Sequence, residues 1–166
     1  MKMTPLISRI VVVFALIALS SATGASQNKF GAGFIFGEPT GVSWKYRMNS
    51  SRAVDGAIGF SPYDRFRVHV DYLWQSHPFT EQRLSVHYGV GAAAGFGRTD
   101  YVLVSDGGRY IFREREIGFG MRGVMGLTYL IPDSPLDMFF EVAPLMILTP
   151  DAGMGVDAGL GARVYF

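Results

Sequence analysis

The sequence predicts an all-β fold, an antiparallel up-and-down barrel of about eight strands. In most segments apolar residues recur at every second position, which is the period of a strand whose two faces differ in their surroundings. Short clusters of Gly, Pro, Asn, Asp and Ser separate these segments, as expected of turns between strands. Almost no segment has the 3.6-residue period of an amphipathic helix. Together these observations favour consecutive strands joined by turns.

The C-terminal segment shows the alternation most clearly. Its apolar positions are Met154, Val156, Ala158, Leu160, Ala162, Val164 and Phe166, and the positions between them are glycine, polar or Tyr165. A strand of this length suits a tilted membrane span, which needs about 9–11 residues. A single strand cannot cross hydrocarbon, because its edges would keep unsatisfied hydrogen-bonding groups. Membrane strands must therefore close into a barrel.

The N-terminal segment has the pattern of a secretory signal peptide. Lys2 and Arg9 precede an apolar run at 10–19, and small or polar residues follow through Ala25. Because Arg9 interrupts the apolar stretch and a spanning helix needs about 20 apolar residues, a cleaved signal fits better than a retained anchor. We expect a signal peptide at 1–25 and an outer-membrane β-barrel domain at 26–166.

Eight segments between the turns read as strands, and we expect an even number to return both termini to the periplasmic side. They are residues 30–37, 40–47, 53–61, 65–74, 83–96, 116–129, 136–148 and 154–166. The polar segment 97–115 is the one long connection, expected outside the cell either as a disordered loop or as a hairpin that extends the barrel. Pro144 lacks a ladder donor, so the seventh strand is expected to bulge or to end there.

The apolar face of these strands is expected to point outward. Alternation alone also fits a secreted, lipocalin-like barrel whose apolar face lies inside. Eight strands enclose room for modest side chains only, whereas the apolar face carries many aromatic rings, among them Phe36, Trp44 and Trp74. Because those rings would overfill the interior, the sequence favours an apolar coat in contact with lipid.

The opposite face is rich in glycine and charge. We expect it to form a polar cluster that fills the interior with salt bridges, since unpaired buried charge costs several kcal/mol. Its members are Lys45, Arg47, Asp55, Arg65, Arg67, His69, Asp71, Arg83, His87, Arg122, Asp137, Glu141, Asp157 and Arg163. Such an interior would pass no sizeable solute, which argues against a general porin.

No catalytic, cofactor-binding or metal-binding residue is predicted. Ser85, His87 and Asp71 suggest a hydrolase triad, but they share their face with many arginines and no oxyanion-hole pattern lies nearby. His69, Asp71 and His87 lack the close spacing of metal ligands. The chain has no cysteine and a net charge of +1, so it offers neither disulfides nor a basic footprint for nucleic acid.

Several segments resemble known outer-membrane proteins of Gram-negative bacteria. The alternation of Leu160, Ala162, Val164 and Phe166 resembles the signal that the barrel-assembly machinery reads, although Val164 stands where an aromatic residue is common. The whole mature region resembles small barrels of the OmpX and OmpA-transmembrane-domain kind. More narrowly, the GEPTG segment at 37–41, VHVDYLW at 68–74 and the segment 144–151 resemble a group of uncharacterised outer-membrane proteins.

This resemblance implies an outer-membrane location, contact with outer-membrane lipid including lipopolysaccharide, the assembly machinery as a partner, and a monomer. It implies no activity. We expect a structural or surface-interaction protein whose segment 97–115, with its mixture of hydrophobic and basic residues, contacts partners or lipopolysaccharide phosphates. Two other hypotheses are a narrow, porin-like channel or carrier for small apolar molecules, and a lipid-modifying enzyme.

Overall fold

The computed structural model describes residues 29–61, 66–81, 83–105, 108–149 and 152–166. For 98–105 and 108–116 the description covers the backbone and the strand register. The predicted signal peptide at 1–25 lies outside the described residues. Among the described residues, no helix has the length and hydropathy needed to cross a membrane.

The described chain is a closed barrel in which each strand is antiparallel to the next and β8 returns to pair with β1. The strands are β1 (Phe30–Gly37), β2 (Thr40–Arg47), β3 (Arg52–Phe60), β4 (Phe66–Ser76), β5 (Leu84–Ser105), β6 (Gly108–Leu130), β7 (Leu136–Thr149) and β8 (Gly153–Tyr165). This confirms the predicted all-β, eight-stranded, up-and-down architecture. We call the end with Phe30 and Tyr165 the terminal end, and the opposite end the hairpin end.

Of the two expectations for segment 97–115, the structure has the hairpin and not the disordered loop. The register between β5 and β6 runs without a shift from Leu84↔Tyr129 to Ser105↔Gly108. β4 pairs with β5 only as far as Phe96, and β7 pairs with β6 only as far as Phe119. Beyond those residues β5 and β6 pair only with each other, so the segment is a two-stranded hairpin that extends past the barrel.

Pro144 does not end β7, which continues to Thr149. Pro144 remains in register with Val156 of β8, while the ladder to β6 is interrupted between Arg122↔Leu145 and Met125↔Val142. In an antiparallel sheet the N–H and C=O of one residue bond to the same neighbouring strand. The N–H that Pro144 lacks therefore weakens the pairing with β6 only, and the pairing with β8 is kept. The bulge of this strand lies nearer the hairpin end, between Phe119 and Gly120 of the partner β6.

The outer wall of the barrel is apolar. At alternate positions of the eight strands the large hydrophobic side chains are exposed, up to 84% for Met154. All the described aromatic residues that the sequence assigned to the apolar face lie on this wall, and examples are Phe36, Phe60, Tyr88 and Phe140. The structure therefore has the apolar face outside, as the volume of an eight-stranded barrel requires.

Aromatic side chains form two groups on the wall, one near each end. Near the terminal end Trp74 stacks on Tyr88 at 5.8 Å and meets Tyr72 edge-on at 5.1 Å between ring centroids. Near the hairpin end Phe66 contacts Phe60 at 5.6 Å and Phe96 at 6.0 Å. β4 carries both groups, at its start and near its finish.

Candidate functional site

The polar interior of the barrel, here the bore, is the candidate functional site. Side chains reach it from the positions that alternate with the apolar wall, because successive strand residues face opposite sides. The described charged side chains of the bore are Lys45, Arg47, Arg67, Arg122, Arg163, Glu38, Asp55, Asp71, Asp137, Glu141 and Asp157, together with His69 and His87. Almost all are buried, and most of their ion pairs connect strands that are not neighbours in the sheet.

Arg122 of β6 is the centre of the largest group. Its Nη2 lies 3.2 Å from Glu141 Oε1, its Nε 3.3 Å from Asp71 Oδ1 and its Nη1 3.5 Å from Asp157 Oδ2. His69 Nε2 lies 3.8 Å from Asp71 Oδ2 and 4.0 Å from Glu141 Oε1. A single guanidinium therefore serves carboxylates from β4, β7 and β8, which is possible because its planar fork carries five donors.

A second group, the rim cluster, lies at the hairpin end. Arg67 Nη1 donates to Glu38 Oε2 at 2.8 Å and to Asp157 Oδ1 at 2.9 Å, while its Nη2 donates to Asp157 Oδ2 at 3.0 Å. Ser61 Oγ donates to Glu38 Oε1 at 2.8 Å. Since β4 and β8 lie on opposite sides of the barrel, the bidentate pair of Arg67 and Asp157 crosses the bore.

Arg163 of β8 crosses the bore nearer the terminal end. Its Nη2 donates to Asp55 Oδ2 at 3.1 Å and its Nε to Ser43 Oγ at 2.9 Å. Its guanidinium carbon also lies 3.7 Å from the centroid of the Phe139 ring. The two hydrogen bonds and the cation–π contact hold this charge in one position.

Arg47, Asp137 and Tyr165 close the terminal end. Tyr165 Oη donates to Asp137 Oδ2 at 2.6 Å, and Arg47 Nη2 lies 3.8 Å from the same oxygen. The Arg47 guanidinium also stacks 3.7 Å from the centroid of the Tyr165 ring. Arg47 extends from β2 to meet groups on β7 and β8.

Lys45 and His87 complete the interior. Lys45 is directly opposite Asp55 in the β2–β3 ladder. The carboxylates of Asp55 and Asp137 both attract its ammonium group. Its Nζ makes no hydrogen bond to the described residues. His87 Nδ1 lies 3.2 Å from Thr128 Oγ1. Both side chains are buried, so they occupy volume as well as carry charge.

Inward-facing glycines provide the space for these side chains. A Cβ added to Gly126 would lie 2.6 Å from His87 Nε2, and one added to Gly31 would lie 2.8 Å from Tyr165 Cε1. Real Cβ atoms do not approach other atoms so closely. The glycine-rich inner face is therefore required by the bulk of the side chains opposite it.

Two members of the predicted polar cluster differ from the rest. Arg83 is exposed in the turn before β5, because that strand begins one residue later than expected. Arg65 lies outside the described residues. The structure brings the remaining twelve members together in the bore.

Some interior residues were missed at the sequence level. Glu38 belongs to the connection after β1, where no alternation indicates a direction. The alternation places Phe139 and Tyr165 at inward positions, but neither carries a charge, so the predicted polar cluster did not include them. The period of two predicts the side on which these two rings lie, whereas their contacts with Arg47 and Arg163 depend on how the barrel closes.

The contacts do not assemble a hydrolase triad from Ser85, His87 and Asp71. Ser85 Oγ donates to the Thr128 carbonyl at 3.4 Å, and the His87 ring bonds the Thr128 hydroxyl. Asp71 lies instead beside Arg122 and His69. Within the described residues there is also no group of three or more His, Cys, Asp or Glu side chains placed to hold a metal ion.

The fold is similar to a solved structure, the crystal structure of the N-terminal β-barrel domain of Pseudomonas aeruginosa OprF. The TM-score is 0.60 at 16% sequence identity, and the similarity covers 84% of this chain and 98% of that one. This confirms the predicted eight-stranded barrel at the level of the fold. The narrower resemblance based on the GEPTG segment stays a prediction.

Sequence comparison places the chain in a family without an assigned activity. No curated protein matches the sequence. A family model matches residues 22–156, which is most of the chain. The chain therefore belongs to the family described as protein of unknown function DUF3996.

Proposed function

We propose that the protein is an integral outer-membrane β-barrel of structural or surface-interaction type, whose polar side chains block the bore. The observation that carries this proposal is the inverted distribution of the side chains. Large apolar residues cover the outside of the wall, and paired charges fill the inside. A soluble barrel would have the reverse arrangement, because an apolar surface of this extent in water promotes association.

The spacing of the aromatic groups supports a membrane location. Phe66 and Trp74, which represent the two groups on β4, are about eight residues or 26 Å apart along the strand. With a strand tilt of 35–45°, the two ring layers are separated by roughly 20 Å along the barrel axis. This separation is close to the apolar band of about 25 Å that aromatic girdles flank in outer-membrane barrels.

The ion pairs across the bore support the blocked interior. Arg67 with Asp157, Arg163 with Asp55 and Arg47 with Asp137 each join strands from different sides of the wall. In each pair the carboxylate is buried, so separating the pair would leave that charge without its partner, and the pairs therefore resist opening. No sizeable solute would pass.

Membrane fractionation combined with heat-modifiability on a detergent gel tests the barrel and its location. The protein should pellet with the outer membrane, and unboiled and boiled samples should migrate differently. The boiled sample serves as the unfolded control. A processed protein that stays soluble without detergent would contradict the proposal.

Single-channel recording in planar bilayers tests the blocked bore separately. A blocked barrel should give no steady conductance. The same sample after boiling serves as the control for conductance caused by detergent. Resolved, reproducible conductance steps from folded protein would support the alternative of a narrow conduit.

A further inference from the structure

The hairpin beyond the barrel has two faces of different charge. Directly opposed residues of an antiparallel pair share a face, and the face alternates along each strand. By this register one face carries Arg98, Arg109, Arg113 and Arg115 with the single acid Asp100, and we call it the arginine face. The other face carries Glu114 and Glu116.

The arginine face continues the apolar wall of the barrel. The β5–β6 register has no shift, so Arg98 shares the face of Phe96 and Arg115 shares the face of Ile117. The boundary lies between these phenylalanine and isoleucine positions and the two arginines. On the barrel side of it, every outward position of β6 from Tyr129 to Ile117 is apolar, except that Gly123 has no side chain. The first position beyond the boundary is arginine on both strands.

This boundary coincides with the end of the barrel wall. Phe96 belongs to the aromatic group at the hairpin end, and Arg98 follows it by two residues, about 7 Å along the strand. If the aromatic group marks the end of the hydrocarbon, Arg98 and Arg115 lie at the level of the lipid headgroups.

The register also places two arginines directly opposite each other. Arg98 pairs with Arg115, and like charges in that position destabilise a ladder. An anion between them would remove the repulsion, and guanidinium groups bind phosphate oxygens in a bidentate manner. Glu114 and Glu116 belong to the other face, and Asp100, the one acid of the arginine face, is directly opposite Arg113, so four arginines share a face with one carboxylate.

We propose that the arginine face binds the phosphate groups of the lipid headgroups that surround the hairpin end of the barrel. The inference rests on the proposed membrane location and adds a partner to it. It assigns the hairpin a role in fixing the depth of the barrel in its leaflet, since the arginines hold phosphates where the apolar wall ends.

Binding of diphosphorylated lipid A to the folded protein in non-ionic detergent micelles tests the proposal. An N-terminal tag, at the barrel end remote from the hairpin, allows the retained lipid to be measured on an affinity resin. Wild-type protein should retain the lipid, and added NaCl should weaken the binding because salt screens exposed charges. Removing the lipid phosphates should weaken it about tenfold or more.

Two variants make the test specific. Combining Arg98→Gln, Arg109→Gln, Arg113→Gln and Arg115→Gln should weaken retention about tenfold or more. A control variant, Arg52→Gln with Arg83→Gln, removes two exposed arginines near the terminal end and should leave retention unchanged. Equal retention by the wild type and the fourfold variant would overturn the inference.

Three further outcomes separate the alternatives. Displacement of the lipid by an equal concentration of inorganic phosphate would show a site for free phosphate and would overturn the lipid assignment. Each sample is first run unboiled and boiled on a detergent gel. If the wild type shows no folded form, the proposed barrel fails; if it folds but ignores lipid phosphate, only the inference fails.

Discussion

Single residues decide how the bore of this barrel is filled. Arg122, Arg67 and Arg163 each bind a carboxylate from another strand, and Arg122 alone contacts three. Arg122 and Arg163 are buried and Arg67 is largely so, and each therefore depends on its partners more than a surface residue would. The interior is consequently sensitive to the loss of one side chain.

Replacing Arg122 with methionine should destabilise the folded barrel by about 3–5 kcal/mol, because it leaves buried carboxylates without their counter-charge. The urea midpoint of the protein folded in lipid vesicles measures the change. Arg83→Met removes an exposed arginine and should shift the midpoint little. Equal shifts for the two variants would show that the Arg122 contacts do not stabilise the fold.

Replacing Gly161 with alanine should also destabilise the barrel, by about 1–3 kcal/mol, since the interior beside it is full. The added Cβ would lie 2.6 Å from Phe139 Cε1 and would overlap the Phe34 carbonyl oxygen. Gly155 lies on the same face of β8 with nothing within 4 Å of such a Cβ. Urea unfolding should separate the two alanine variants; a neutral Gly161→Ala would contradict the tight packing.

The residues of the bore could largely be predicted from the alternation of the sequence. Lys45, Asp55 and Asp71 sit at inward positions of regular strands, where the period of two is sufficient. Glu38 could not be found in this way, because it enters the rim cluster from a connection. Its contact with Arg67 depends on how the barrel closes, which no local pattern contains.

At the scale of whole strands, β5 and β6 differ from the others because they extend beyond the wall. The sequence between them contains Asp106-Gly107, a dipeptide that favours two-residue hairpin connections. That signal favours the hairpin, whereas the high polarity of the segment left a disordered loop as the other expectation. The polar composition accompanies the end of the barrel wall, while the strand structure continues.

Replacing residues 99–114 with Asn-Gly should leave a folded barrel, because the described residues of this segment, 99–105 and 108–114, pair only with one another. The unboiled variant should keep its separate band on a detergent gel. The wild type, run in parallel, gives the reference for the folded fraction. Loss of the folded band would mean that the hairpin is needed to close the wall.

The last strand, β8, closes the barrel, and its final residues lie beside Phe30 at the terminal end of the barrel. Phe166 N–H donates to the Phe30 carbonyl at 3.0 Å, and the two rings meet edge-on at 5.5 Å. Leu160 and Phe166 are exposed on the outer wall, where an assembly factor could reach them. We expect the assembly machinery to recognise this edge before β1 covers it.

Replacing Phe166 with alanine should therefore reduce the yield of assembled protein in the outer membrane more than it reduces stability after purification. The folded fraction in membrane extracts and the urea midpoint measure the two effects. Phe36→Ala removes an outward ring at the other end of β1 and serves as the control. Equal yields for the two variants would contradict a recognition role for the C-terminal residue.

At the scale of the whole molecule, the barrel is turned inside out relative to a soluble protein. Its closed ladder satisfies the backbone, its apolar residues cover the wall, and its charges occupy the bore. The fold class and the outward face could be predicted because the alternation and the volume of eight strands both constrain them. The chemistry of a surface partner leaves no comparable periodic signal.

Quenching of tryptophan fluorescence by brominated lipids tests the lipid-facing wall most directly. Trp44 lies mid-strand in β2 and Trp74 lies in the aromatic group near the terminal end, and they are the two tryptophans of the chain. In single-tryptophan variants, Trp44 should be quenched most by bromine deep in the acyl chains and Trp74 by bromine near the headgroups. If brominated lipid quenched neither tryptophan, the result would contradict a wall in contact with hydrocarbon.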